Sequence, residues 1–246
     1  MRAIILAAGV GRRLGADADG PKCLLNFGGR TLLDRHLRNL AANNIAQTTI
    51  CVGYQREHIE TAISDGGYEN VETLFNDDYR AGSIVSLWTA RDVLRSGEDI
   101  ILMDADVLYT PAIIRALFKS PAHNRFLCDR NYLAGDEPVK ICLRDGQIVE
   151  FRKHLAADLT YNDSGESVGF FAFTAKMAGR LADVTDSYVS NGRRDEPYEE
   201  AIRDLALASP NEFLVEDVSG LPWIEIDFPE DLTRAAEEIL PHIGNR

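Results

Sequence analysis

Residues 2–25 read "RAIILAAGVGRRLGADADGPKCLL", and this stretch decides the fold. A short, wholly apolar run, "AIILAA", meets Gly9 and Gly11, then Arg12 and Arg13, then Gly20-Pro21-Lys22. A run of that length, closed by glycine, reads as a parallel strand buried on both faces that empties into a tight turn. It is too short for an export core, and "GRRLGAD" stands where a small-residue cleavage site belongs. No later segment is apolar for long enough to span a bilayer. A dinucleotide fingerprint is not met. Leu14 occupies the place of its third glycine, and the next strand ends "VGYQ" without the acidic residue that would hold a ribose. A P-loop is not met either. Pro21 stands where its lysine belongs, Cys23 where its Ser/Thr belongs, and proline removes an N–H that phosphates need. What remains is a glycine turn whose backbone N–H groups can approach phosphate oxygens, with Arg12, Arg13 and Lys22 beside it.

Composition narrows the function classes. The chain has 246 residues, 45% of them hydrophobic, which suits one large α/β domain or two small ones with a full core. There are 26 Lys+Arg against 39 Asp+Glu, a formal net charge of -13. Such a surface repels nucleic acid and anionic membrane, so neither is expected as a partner, and an anionic substrate needs a local cluster of cations. Cys23, Cys51, Cys128 and Cys142 form no CxxC pair and read as reduced, buried thiols of a cytoplasmic protein. His36, His58, His123, His154 and His242 show no ligand spacing and are assigned no chemistry.

Downstream, strand and helix alternate. "TLLDRHLRNLAANNI" opens on a candidate N-cap, Thr31, and places Leu33, Leu37, Leu40 and Ala41 on one helical face. "TTICVGY", "VETLF" and "DIILMDAD" read as strands; "REHIETAIS", "SIVSLWTARDVL" and "PAIIRALFK" read as helices. The alternation predicts a mostly parallel sheet with helices on both faces. The second half changes style. "PVKICLRDGQIVEFRK" is two strand-like runs around Asp145-Gly146, a hairpin signal. "ESVGFFAFT" and "WIEID" follow as strands, with helices at "AKMAGRLADV", "YEEAIRDLALA" and "PEDLTRAAEEIL". No linker divides the chain, so residues 1–246 are expected to form a single domain.

"LAAGVGRRLGADADGPKCLL" resembles the LAAGxGxR…PK signature of nucleotidyltransferases built on the GT-A type, Rossmann-like fold. "FNDDYRAGSIVSLWTARDVL", "ILMDADVLY", "DEPVKICLRDGQIVEFRKHL", "SVGFFAFTAKM" and "WIEIDFPEDLTRAAEEIL" follow in family order and extend the likeness over most of the chain. Within the superfamily the chain is most similar to the phosphocholine cytidylyltransferase group, whose relatives take 2-aminoethylphosphonate and other small phosphoryl or phosphonyl acceptors. The resemblance implies one GT-A-like α/β domain with a mostly parallel central sheet flanked by helices and a β-hairpin insertion. It implies CTP as nucleotide, Mg²⁺ as cofactor, and a monomer or homodimer. Leu6, Ala7, Ala8, Gly9 and Gly11 would wrap the triphosphate, with Arg12 and Lys22 on its phosphates; Arg13 falls at a more variable position. Ala81, Gly82 and Ser83 would contact the base, although Ser83 also fits a helix cap.

The reaction sets its own demands. An acceptor oxygen must attack the α-phosphorus of a triphosphate while pyrophosphate leaves. Two like unit charges 4 Å apart repel by roughly 4 kcal/mol at an effective dielectric of 20, so positioning and charge neutralisation are most of the catalysis. Mg²⁺ takes oxygen ligands, and two triplets offer them: Asp104 and Asp106 in "DAD", Glu225 and Asp227 in "EID". The outer residues of each triplet share one face of a strand. By the resemblance Asp106 and Asp227 are the metal ligands, with Asp104 and Glu225 as supports or second-metal ligands; Asp227 in "IDFPED" also fits a turn. Lys140 and Lys153 match positions that face the acceptor or α-phosphate, and both also fit a solvated strand edge. An acceptor with an ammonium head would want aromatics and carboxylates: Trp88, Tyr132, Phe171, Tyr198, Glu199 and Trp223 are the candidates. The alternatives are a sugar-1-phosphate or molybdenum-cofactor nucleotidyltransferase, or a nucleotide-sensing subunit without turnover.

Overall fold

A computed structural model of the chain describes residues 1–17, 20–45, 47–119, 123–132 and 135–243. The first half contains β1 (Arg2–Ala7), β2 (Asn26–Phe27), β3 (Arg30–Thr31), α1 (Leu32–Ala42), β4 (Gln47–Val52), α2 (Arg56–Asp65) and β5 (Val71–Phe75). It continues with α3 (Ser83–Thr89), α4 (Arg91–Leu94), β6 (Ile100–Asp104), β7 (Val107–Tyr109) and α5 (Pro111–Ala116). The second half adds β8 (Asn124–Asp129), β9 (Lys140–Arg144), β10 (Gln147–Arg152), β11 (Asp163–Phe173) and α6 (Ala175–Ser190). It ends with α7 (Glu199–Ala208), β12 (Phe213–Asp217), β13 (Trp223–Glu225), α8 (Pro229–Arg234) and α9 (Leu240–Ile243).

The apolar opening run is β1, at the centre of a nine-stranded sheet ordered β10-β9-β11-β6-β1-β4-β5, with β8 pairing β11 and β12. β1 runs parallel to β4 and β6, and β4 runs parallel to β5. This is the parallel half that the alternation of strand and helix predicts. β11 then joins β6, β8 and β9 antiparallel. Ile4 packs toward α3, α4, α6 and α7, whereas Ala3 and Ile5 pack toward α1, α2 and α5. Both faces of the sheet are therefore covered by helices, which is why β1 has no polar alternation.

Local signals formed as their chemistry dictates. Thr31 Oγ1 accepts from the Asp34 N–H at 3.0 Å, and Pro111 occupies the first turn of α5. Asp145 and Gly146 take φ of 53° and 81°, the mirror-image turn that matches strand twist between β9 and β10. On α1 the buried residues include Leu33, Leu37 and Leu40 but not Ala41, which is exposed; Arg35 and His36 go inside instead. A third core cluster joins Leu14 of the glycine loop to Phe27, Leu32, Leu108, Ile224 and Ile226. Leu14 is thus an anchor that pins the loop to the chain's last strand. Burying such a side chain contributes about 1.5–3 kcal/mol. Among the described residues all four cysteines are buried and unbridged, and no helix is long and apolar enough to cross a membrane.

Candidate active site

β1 lies between β4 and β6, so the chain reverses direction across the sheet between β1 and β6. A crevice at the carboxyl ends of such strands is the usual ligand position in open α/β sheets. Here it holds a cavity of about 530 Å³. Leu6, Ala7, Ala8, Gly9, Gly11, Arg12 and Lys22 line it, together with Asp104, Asp106, Lys153, Glu225 and Asp227. Ala81, Ser83, Tyr198 and Glu199 complete it. Gly11 has φ 65°, and a side chain there would crowd the Lys22 methylenes at 3.1 Å, so glycine is required where the loop passes the lysine.

The centre of the cavity is acidic. Carboxylate oxygens of Asp106, Glu225 and Asp227 lie within 4.8 Å of one another. Lys22 Nζ donates to Asp106 Oδ2 at 2.9 Å and to Asp227 Oδ1 at 2.6 Å. Burial opposes the ammonium, but the two carboxylates outweigh it and raise the Lys22 pKa. Arg13 reaches the other Asp227 oxygen at 2.9 Å and Glu137 at 2.7 Å, with its guanidinium over the Phe228 ring. Enclosure in the cleft and then the like charges of Asp106 and Asp227 push Glu225 well above the usual carboxylate range. Three crowded carboxylates with one ammonium among them are a hard-oxygen set that fits a small divalent cation. Asp227 itself is fixed by α8: Asp231 Oδ2 accepts from the backbone N–H of Asp227 at 3.0 Å and of Phe228 at 2.8 Å. "FPED" carries that signal, a proline at the first helical position followed by an acid at the third.

Asp104 does not join this set. Its Oδ2 accepts from the Tyr198 hydroxyl at 2.7 Å, and burial followed by repulsion from Asp106 and Glu199 raises its pKa strongly. Of the two roles expected for it, support or second-metal ligand, the Tyr198 contact and its place outside the three-carboxylate group favour support. Gly169, at φ 76°, makes room: a Cβ there would lie 2.2 Å from Asp104 Oδ2. Beneath the "DAD" turn, the fully buried His36 places Nε2 3.1 Å from the Ala105 carbonyl oxygen and stacks on Tyr109. Burial lowers its pKa to about 4, so the ring is neutral and supports the turn. No ligand spacing pointed to it; only packing brings it there.

The two hairpin lysines part company. Lys153 lines the cavity and pairs with Glu137 at 3.2 Å. Lys140 does not line it. Its Nζ donates to the carbonyls of Gly135 and Lys153, each at 2.7 Å, and so fastens the hairpin's base.

The base turn is also re-read. Gly82 points its N–H to the Arg194 carbonyl at 2.8 Å, and a Cβ would sit 2.3 Å from Glu196 O, so it packs under the 194–196 loop and not in the cavity. Ser83 is not a side-chain cap: it begins α3, and its Oγ accepts from the Tyr198 N–H at 2.9 Å. Tyr79 and Ser86, which the sequence did not single out, line the same wall.

The aromatic candidates separate by place. Tyr132 and Trp223 line a second cavity, of about 320 Å³, with Asp129, Glu137, Glu166, Phe228 and Asp231. Trp223 Nε1 donates to Asp129 Oδ2 at 2.8 Å. Glu225 and Asp227 line both cavities, so the two meet at the carboxylate cluster. Burial, then Asp129, raise the Glu166 pKa to about 7. Tyr198 and Glu199 lie in the first cavity, and burial raises Glu199 to about 7. Phe171 is wholly buried in the aromatic core with Phe126 and Phe151, and Trp88 turns away to Asp186 at 2.7 Å under Arg91. Neither lines either of these cavities: Phe171 belongs to the core under β11, and Trp88 is half-buried at the edge of that core.

Comparison with known proteins agrees with this architecture. Residues 3–163 match the MobA-like NTP transferase domain, and the chain belongs to that family. It is 29% identical over 241 residues to the bifunctional IPC transferase and DIPP synthase of Rubrobacter xylanophilus, covering 97% of this chain and 52% of that one. It is 24% identical over 242 residues to the CMP-5'-(3-aminopropyl)phosphonate synthase of Streptomyces rubellomurinus, covering 96% and 38%. The chain thus spans about half, or less, of these relatives' length. The solved inositol-1-phosphate CTP transferase of T. maritima superposes with a TM-score of 0.79 at 22% identity, over 99% of this chain and 96% of that one. The shared fold is the GT-A-like α/β architecture that the resemblance implied.

Proposed function

We propose that this MobA-like NTP transferase domain transfers CMP from CTP to a small phosphoryl or phosphonyl acceptor with a cationic head, releasing pyrophosphate. The observation that carries the reading is the junction of two unlike cavities at Glu225 and Asp227. One has a glycine turn with Arg12, Lys22 and Lys153; the other has aromatic rings with Asp129, Glu137, Glu166 and Asp231 against a single arginine, Arg234. A phosphate between them faces cations on one side, while an ammonium on its far end faces Trp223, Tyr132, Glu137 and Glu166 on the other. The name of the aminopropylphosphonate relative is consistent with that polarity.

In this reading the glycine-loop N–H groups and Arg12 hold the β- and γ-phosphates. Lys22 and Lys153 neutralise charge around the α-phosphorus. The acceptor oxygen forms the new P–O bond as the bond to the bridging oxygen of pyrophosphate breaks. Asp106, Asp227 and Glu225 would hold Mg²⁺, which supplies charge neutralisation and orientation at the transferring group. An aromatic face with a nearby carboxylate favours an ammonium by roughly 1–2 kcal/mol when desolvated.

The test is pyrophosphate release with four nucleoside triphosphates against phosphocholine, 2-aminoethylphosphonate, inositol 1-phosphate and glucose-1-phosphate. The expected result is turnover with CTP and the two cationic acceptors. Preference for a neutral polyol or sugar phosphate would overturn the acceptor half. Binding of nucleotide without turnover of any acceptor would favour a sensing role instead.

A further inference from the structure

One ion pair spans the boundary between the two cavities. Glu137 lines the second cavity and not the first; Arg13 and Lys153 line the first and not the second. Yet Glu137 Oε2 accepts from both cations, from Arg13 at 2.7 Å and from Lys153 at 3.2 Å. The Lys153 hydrogen bond, with the Arg13 charge beside it, holds the Glu137 carboxyl below the usual carboxylate range, so it is ionised at neutral pH. The backbone on either side of Glu137 is pinned. Lys140 Nζ donates to the Gly135 carbonyl before it and to the Lys153 carbonyl at the end of β10, and the Ser167 N–H donates to the Val139 carbonyl at 2.8 Å. Lys140 thus keeps Glu137 beside Lys153 by fixing main chain to main chain. The three charged side chains are each partly exposed, so they can exchange partners without unpacking the core.

We propose that Glu137 couples the two substrate sites: each substrate takes one end of the Lys153–Glu137 pair and so raises the affinity for the other. This rests on the CMP-transfer reading above and deepens it. In that reading Lys153 serves the α-phosphate and Glu137 serves the ammonium head. Neither serves fully while the two are paired. A triphosphate that draws Lys153 away leaves Glu137 with Arg13 alone, and Arg13 is already shared with Asp227. The second cavity then presents a stronger negative field to a cation. In the reverse order, an ammonium beside Glu137 weakens its hold on Lys153, which turns to the phosphates. Linkage makes the two effects equal in size. Glu166 is the contrasting acid of the same cavity. It feels the field of Lys153 but, among the described residues, forms no salt bridge, so nucleotide has no ion pair of Glu166 to break.

The experiment is calorimetric titration at pH 8 with Mg²⁺ on wild type, Glu137→Gln and Glu166→Gln. 2-Aminoethylphosphonate and phosphocholine are each titrated into protein alone and into protein saturated with α,β-methylene-CTP, whose bridging carbon blocks transfer. Wild type should bind the acceptor about three- to fivefold more tightly with the analogue present, the range that one exposed ion pair supplies. Glu137→Gln should bring that ratio toward one. It should also bind the analogue alone more tightly than wild type, because Lys153 has no partner to leave; structural damage would not strengthen nucleotide binding. Glu166→Gln should weaken acceptor binding in both titrations and keep the wild-type ratio. A wild-type ratio of one, or a ratio unchanged in Glu137→Gln, overturns the coupling and leaves the CMP-transfer reading intact. Failure of the wild type to bind either acceptor, with or without the analogue, overturns both.

Discussion

Lys22 Nζ lies 2.6 Å from Asp227 Oδ1, a contact between residues 205 positions apart in the chain. The same ammonium touches Asp106, so a single lysine neutralises the two carboxylates best placed for a cation. A divalent ion entering this cluster must displace it, and the freed ammonium then faces the phosphates.

Lys22→Ala should therefore bind Mg²⁺ or Mn²⁺ more tightly than wild type when no nucleotide is present, while binding CTP about tenfold more weakly. Mn²⁺ titration followed by electron paramagnetic resonance, alongside CTP calorimetry, reads both. A weaker metal affinity in the variant would show that the lysine is no competitor.

Asp106→Asn and Asp227→Asn should each lower turnover by about a hundredfold or more, since a bound ion contributes several kcal/mol of charge stabilisation. Both should keep the wild-type circular dichroism spectrum, because Lys22 retains one carboxylate partner in each. Undiminished activity in EDTA would contradict the metal assignment outright.

The two loop arginines should differ. Among the described residues Arg12 makes no ion pair and lines the cavity, while Arg13 is committed to Asp227 and Glu137. Arg12→Ala should raise the CTP KM about tenfold. Arg13→Ala should change it less, because an exposed pair of this kind is worth about 0–1 kcal/mol. If steady-state kinetics make Arg13 the more sensitive, the loop is read in the wrong register.

Glu166 gives a pH dependence. Burial and Asp129 raise its pKa from 4.5 to about 7, against the opposing fields of Lys140, Lys153 and Arg234. The folded protein binds the extra proton between those two values, so this residue's contribution to stability falls as pH rises through that window. Its charge for an ammonium head appears only as pH passes about 7. The KM for a cationic acceptor should therefore fall from pH 6 to pH 8, and Glu166→Gln should flatten that component of the profile. An unchanged profile in the variant would remove Glu166 from the acceptor site.

Gly169→Ala probes the cavity lining beside Asp104. A left-handed residue other than glycine costs about 1–3 kcal/mol, and here the new methyl also collides with the Asp104 carboxyl. For a chain of this size that corresponds to a melting temperature lower by roughly 2–10 °C. A melting curve identical to wild type would mean that the backbone relaxes freely around Asp104.

The chain itself settled what depends on neighbours in sequence. The apolar run of β1 needs both faces covered, so it announces a central parallel strand. Thr31, Pro111 and Asp145-Gly146 act on backbone within a few residues of themselves and needed no partner from afar. The glycine turn, "DAD" and "EID" were legible as chemistry because oxygen ligands and phosphate cradles require those residue types. Tertiary structure decided everything that depends on two distant segments meeting. It put Lys22 between Asp106 and Asp227, and tied Asp104 to Tyr198. It turned Lys140 onto backbone carbonyls, sent Phe171 to the packed interior and Trp88 to Asp186, and gathered Tyr132, Trp223 and Glu166 into one cavity. An aromatic or a lysine looks the same in sequence whether it packs, fastens or binds. Its role is set by which strand register and which helix face brings a partner within reach, and that is a property of the assembled sheet.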